Sequence, residues 1–301
     1  MMKRYRLIIL LFILVMLFIS FMMIYFGVQQ GNKQQQIERK VDYTYKNFAK
    51  TNSNVKDGVL VLAYHRILKK NAAVEFAQDV SKNPQLQQYN VDQTTFMHQM
   101  KWLKSHHISV WSMDEFIKHS HENTISGKHV VLTFDDIDTT LPRNAAPTLY
   151  DLRLPFTIFV ITGRVGSNLD GEQLATWQEI SKLSNHPEVT VGLHTNDLHY
   201  QEDNKPILST TSISKKSIIS DYKKSYNKIK NQLGITPTVF AYPYGSQNVT
   251  LTQYMYRHGM QGIFLLEPGI VSNDLPNILQ GVPRFVVTNT NFDELQSWLK
   301  K

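Results

Sequence analysis

From about residue 58 to the C-terminus, short apolar runs alternate with longer amphipathic stretches. Residues 59–64, 130–134, 156–162, 189–193, 239–242, 262–266 and 285–288 are short, apolar and often β-branched, which is the pattern of buried strands. Between them, 94–106 sets Phe96, Met100 and Leu103 on one helical face, and 214–233 does the same with Ile218, Tyr222, Tyr226, Ile229 and Leu233. Ser214 is a suitable cap for that second helix and Gly234 a suitable stop. Alternating β and α elements predict an α/β domain built on a parallel sheet, either open or closed into a barrel. In both architectures, chemistry gathers at the carboxyl ends of the strands.

The N-terminal pattern is different. Lys3, Arg4 and Arg6 precede a stretch, 7–28, that carries no charged residue and is long enough to cross a bilayer as a helix. Basic residues ahead of it predict a single-pass anchor with its N-terminus in the cytoplasm and the rest of the chain outside. A cleaved signal peptide, giving a secreted and surface-associated protein, is the alternative, but 22–26 is bulky where a cleavage site needs small residues. The expected organisation is therefore an anchor over 1–28, a polar stalk over 29–57 and a catalytic domain over 58–301.

Charge changes this picture only locally. The chain has a formal charge of +7, yet nine of its 32 Lys and Arg and three of its 25 Asp and Glu lie in the first 57 residues. The remainder is nearly neutral, so a nucleic-acid partner is not expected. There is no cysteine, which removes disulfides and thiolate metal ligands.

Candidate chemistry sits at the predicted strand ends. Asp135 and Asp136 follow the run 130–134, and His194 and His199 follow 189–193. The spacing of the two histidines fits neither one helical face nor one strand face, so they must curve around something in a loop. One carboxylate and two imidazoles fill three positions on a metal and leave one for water, while the second carboxylate is a ready general base. His65 ends the first strand, and Pro243-Tyr244 follows 239–242.

Thr133-Phe134-Asp135-Asp136, His194-Thr195-Asn196-Asp197-Leu198-His199 and Ala241-Tyr242-Pro243-Tyr244-Gly245 resemble the first three motifs of the polysaccharide deacetylases, the NodB-homology or carbohydrate esterase family 4 group. Ala63-Tyr64-His65-Arg66, Phe134-Asp135-Asp136-Ile137-Asp138 and Val282-Pro283-Arg284 are similar to the intercellular-adhesin (IcaB-type) branch of that family. The resemblance implies a distorted (β/α) barrel that removes N-acetyl groups from poly-β-1,6-N-acetylglucosamine outside the cell. It implies Asp135 as general base, and Asp136, His194 and His199 as ligands of one divalent metal, zinc first, with cobalt, nickel or iron as alternatives. It also implies the Tyr244 backbone N–H as an oxyanion donor.

Two departures from the family pattern stand out. Many members carry an arginine at the position of Ala241 to steady the catalytic aspartate, and here Arg284 is the candidate replacement. Many also carry a histidine near the C-terminus to protonate the leaving amine, but no histidine follows His258. His258 reads as the C-terminal residue of a helix, so His65 is the candidate acid. The expected partners are an N-acetylglucosamine polymer, the membrane, and the proteins that make or export the polymer. Peptidoglycan, chitin-type oligomers and a non-catalytic carbohydrate-binding role are the alternatives.

Overall fold

A computed structural model describes residues 13–16, 18–20, 22, 43–69, 89–169 and 171–300. Asp42–Lys70 and Gln88–Lys301 form one compact unit. The expected anchor, and the stalk as far as residue 42, lie outside the described residues apart from a few helical positions. Among the described residues, no helix is long and apolar enough to cross a membrane.

Eight strands form the main sheet: β1 (Gly58–Tyr64), β2 (Ser109–Val110), β3 (Lys128–Phe134), β4 (Phe156–Val160), β5 (Val189–Leu193), β6 (Val239–Ala241), β7 (Gly262–Phe264) and β8 (Phe285–Val286). Their order is β7-β6-β5-β4-β3-β1-β8, with β2 alongside the start of β3. Every pairing is parallel. The seven apolar runs picked out by pattern are seven of these strands. β2 is too short for periodicity to reveal.

Among the described residues, eight α-helices of this unit connect and cover the strands: α1 (Phe48–Thr51), α2 (Gln93–Ser105), α3 (Met113–Glu122), α4 (Ala146–Asp151), α5 (Trp177–Ser184), α6 (Lys215–Leu233), α7 (Val249–Arg257) and α8 (Phe292–Leu299). At the start of α6, Ser214 Oγ accepts the Ser217 N–H, and at its end Gly234 is left-handed. Both caps stand where the sequence placed them.

Because side chains alternate across a strand, each strand feeds two cores. Leu60, Leu62, Leu132, Ile158, Leu193 and Phe240 face outward under the helices. Val59, Val61, Val131, Phe159, Val239, Ala241 and Phe264 face inward, where Trp111 and Phe116 join them. Gly192 belongs to this inner face, and a Cβ there would meet the Phe159 ring at 2.6 Å. The sheet curls so tightly at this point that only glycine fits.

Residues 265–284 close the gap between the sheet edges. Val271 bridges to Val59, and Val282 bridges to Phe264. The result is a distorted parallel α/β barrel whose two ends are joined by irregular chain rather than by direct pairing.

The stalk boundary at 57 does not hold for 43–57. Tyr45 is buried and its hydroxyl donates to the Val286 carbonyl at 3.0 Å. Phe48 packs edge-on against Phe285 and Trp298, and Trp298 Nε1 donates to the Asn52 carbonyl. Sparse apolar residues make a poor core by count, but here several are aromatic, and a few rings cover the outer face beside β8.

Candidate active site

The alternation of β3 explains how the aspartates come to differ. Val131, Thr133 and Asp135 share the inward face, and the Asp135 N–H continues the ladder to the Tyr64 carbonyl at 2.9 Å. Register pairs Leu62 with Phe285, so Arg284 points inward beside them. It is fully buried.

Its guanidinium donates from Nη1 to Asp135 Oδ1 and from Nη2 to Asp135 Oδ2, both at 2.7 Å. Nε donates to the Leu265 carbonyl, and Nη1 also reaches Thr133 Oγ1. Ala241 shares the inward face, so the arginine expected at that position in many relatives is here supplied from residue 284. Burial disfavours the charged Asp135, but Arg284 and His194 outweigh it and hold the carboxyl below its usual range.

Asp136 follows on a backbone that has turned. Its φ is +66° and that of Ile137 is +57°, both left-handed. Such conformations cost about 1–3 kcal/mol each and persist only where surrounding contacts over-determine them. The turn brings the Asp136 carboxylate over the strand ends, where Oδ1 lies 3.0 Å from His199 Nε2 and 3.4 Å from His194 Nε2.

His194 Nδ1 donates to the Ala241 carbonyl at 2.8 Å, which leaves Nε2 as the lone-pair nitrogen facing the aspartate. One ligand atom from each of Asp136, His194 and His199 lies within 4.8 Å of the others. Asp136 Oδ1 is buried with no hydrogen bond of acceptable geometry. Three converging lone pairs and an unsatisfied buried carboxylate oxygen fit a divalent cation. Burial opposes ionisation of Asp136, but His199 and His194 hold its carboxyl well below the usual range, and the same charge raises His199 against its own burial.

The loop 194–199 is shaped from outside. Asp221 on α6 accepts the Asn196 and Asp197 N–H groups at 2.8 Å each, and Ser225 Oγ donates to the Thr195 carbonyl. Gly163 lets the loop cross close by, since a Cβ there would collide with the Asn196 carbonyl. Sequence reading missed Asp221 and Ser225. They fall three and seven residues after Ile218, on the buried side of an amphipathic helix, and polar residues on that stripe were the available signal.

The remaining candidates also lie at this end of the barrel. His65 Nε2 is 4.0 Å from Asp135 Oδ2, its Nδ1 is buried without a partner, and its ring packs against Tyr89. Burial lowers its pKa, and the lowering outweighs the opposing pull of Asp135 and Asp136. Tyr244 is left-handed (φ +56°) directly after Pro243, and its hydroxyl lies 3.5 Å from His199 Nδ1.

His258 instead stacks on Tyr254, with Nδ1 2.7 Å from its carbonyl, at the end of α7. A groove of about 1060 Å³, lined in part by Ile117, Tyr256 and Leu275, lies at the amino ends of the strands. It holds none of the candidate residues.

A poly-β-1,6-N-acetyl-D-glucosamine N-deacetylase of Staphylococcus epidermidis is 31% identical over 242 residues, covering 80% of this chain and 82% of the relative. The chain belongs to the polysaccharide deacetylase family. The family's sequence model matches residues 122–263, a span that contains the Asp pair and both loop histidines. A Staphylococcus aureus N-deacetylase of the same name is 30% identical over the same length.

Among solved structures, IcaB from Ammonifex degensii superposes with a TM-score of 0.70 at 27% identity, covering 81% of this chain and 98% of that one. Streptococcus pyogenes deacetylase PplD in complex with acetate gives a TM-score of 0.66 at 23% identity, covering 81% and 99%, and shows the shared fold. This polysaccharide deacetylase is accordingly a hydrolase of amide C–N bonds.

Proposed function

We propose that the chain is a metal-dependent N-deacetylase of poly-β-1,6-N-acetyl-D-glucosamine, acting outside the cell. The observation that carries this reading is the buried Asp135–Arg284 pair beside the convergent Asp136, His194 and His199. The polymer is taken from the names of the staphylococcal relatives. Zinc is the first candidate for a His₂-carboxylate set without thiolates, ahead of cobalt, nickel or iron.

A bound divalent cation supplies Lewis acidity, acidifying water and polarising a carbonyl. In this reading Asp135 accepts the proton of the attacking water, and Arg284 keeps that carboxylate ionised and fixed in direction. His65 delivers a proton to the departing glucosamine nitrogen. Tyr244 N–H donates to the acetamide oxygen as charge builds on it. The C–N bond breaks, acetate leaves, and the sugar retains a free amine that becomes cationic at neutral pH.

The anchor over 1–28 would hold the enzyme at the membrane, beside the proteins that make or export the polymer. A polymer made cationic there can adhere to anionic cell surfaces, which would support biofilm formation. Acetate release by the full chain tests the substrate, with the β-1,6 polymer, peptidoglycan and chitin oligomers as parallel arms. Release from the β-1,6 polymer that Asp135→Asn abolishes is expected. Release from peptidoglycan alone would overturn the assignment.

A further inference from the structure

Two consecutive left-handed residues, Asp136 and the β-branched Ile137, need a restraint that the strand itself does not give. The restraint comes from two sides. On one, the Ile67 N–H donates to Thr140 Oγ1, and Thr140 in turn donates to Asp138 Oδ1 through both its N–H and its hydroxyl. On the other, the Ala175 N–H donates to the Ile137 carbonyl, the Thr139 N–H donates to the Gln173 carbonyl, and Asp138 bridges to Leu174.

One side chain spans both sides. Arg66 Nε donates to Asp138 Oδ2 at 3.3 Å, and its Nη1 lies 3.0 Å from Glu172 Oε1 on the short hairpin Asn168–Leu169/Glu172–Gln173. Asp138 is 3% exposed, and Arg66 is the cation facing this buried carboxylate, beside the two hydrogen bonds from Thr140.

We propose that Arg66 is a positioning residue: by joining Asp138 to Glu172 it holds the Asp136–Ile137 turn in the conformation that presents the Asp136 carboxylate to His194 and His199. The inference rests on the reading of those three residues as metal ligands. Arg66 touches none of them and acts only through the turn. A planar fork suits the task, because one guanidinium reaches two carboxylates in different directions and a lysine ammonium does so less well.

The test is a titration of the metal-free full chain with cobalt(II), read by its visible absorption and repeated in competition with zinc. Failure of the wild-type chain to bind one cobalt would sink the metal reading itself. Given wild-type binding, Arg66→Ala is expected to weaken affinity roughly 10–100-fold, as loss of outer-shell support does, and to alter the absorption spectrum. Arg66→Lys should recover part of both.

Arg143→Ala breaks an exposed pair with Glu179 and should keep wild-type affinity and spectrum. Wild-type cobalt affinity and spectrum in Arg66→Ala would overturn the proposal, and so would equal losses in Arg143→Ala. If Arg66→Ala does not fold, Glu172→Gln decides. A several-fold loss of affinity supports the proposal, and wild-type affinity overturns it.

Discussion

Arg284 and Asp135 are 149 residues apart in sequence, yet two hydrogen bonds of 2.7 Å join them inside the barrel. The register of β1 against β8 makes this contact, since pairing Leu62 with Phe285 turns the preceding arginine inward, towards the face that carries Thr133 and Asp135. A slip of one residue would send Arg284 to the helix-covered side.

Removing one member of so buried a pair leaves a charge without its partner. Arg284→Ala should lower unfolding stability by about 3–5 kcal/mol, measured by denaturant titration. Arg284→Lys keeps the charge but loses the fork, so it should fold with reduced kcat. A lysine variant with wild-type kcat would show that the bidentate geometry is dispensable.

Stability on the acid side follows from the direction of the Asp135 shift. Burial opposes ionisation, but Arg284 prevails and the folded pKa is lowered. A carboxylate lowered in this way contributes stability that is present above its unfolded value of about 3.9 and lost as pH falls through the folded one. The metal-free wild type should therefore lose more stability below about pH 5 than Asp135→Asn does. Parallel denaturation profiles for the two proteins would contradict the assignment.

Asp221 should matter although it lies outside the strand-end motifs. Its carboxylate holds two N–H groups of the loop between the histidines. Asp221→Ala removes both part-buried hydrogen bonds, and the expected cost is about 1 kcal/mol for each. Weakened zinc affinity should accompany it, measured by competition with a chelating dye, while Asp221→Asn should be milder.

The aromatic residues before β1 give an independent test of where the domain begins. Tyr45→Phe removes the bond to the Val286 carbonyl and should cost about 1 kcal/mol in thermal or denaturant unfolding. No change in midpoint would return residues 43–57 to the role of a stalk.

How far the sequence was legible varies with the kind of signal. Strand ends were readable, because short β-branched runs stop abruptly at Asp135 and His194, and the motif residues there gave the reaction class. The α3 and α5 starts were also within reach through Ser112/Glu115 and Thr176/Glu179, both of which form capping boxes.

Long-range partnerships were harder to read. The resemblance named Arg284 as the candidate to steady the catalytic aspartate, but the strand register that brings the two together is encoded in no local pattern. Asp221 and Ser225 were hidden inside a helix read for its apolar stripe. Arg66 was visible as part of a resemblance, and only the fold shows that it spans Asp138 and Glu172.

The ligand set makes its own prediction. Asp136→Asn, His194→Ala and His199→Ala should each lower bound zinc well below one per chain, by elemental analysis of purified protein, while Asp135→Asn keeps it. Loss of metal in Asp135→Asn equal to that in Asp136→Asn would mean that the two aspartates do not divide the work.

If these residues together form a metal-dependent deacetylase site, acetate release from poly-β-1,6-N-acetyl-D-glucosamine must depend on both the metal and Asp135. No release is expected from the chelator-stripped full chain, with recovery on one equivalent of zinc or cobalt and a loss of about 10²–10⁴-fold in metal-loaded Asp135→Asn. Undiminished release from the stripped chain, or from Asp135→Asn, would contradict it.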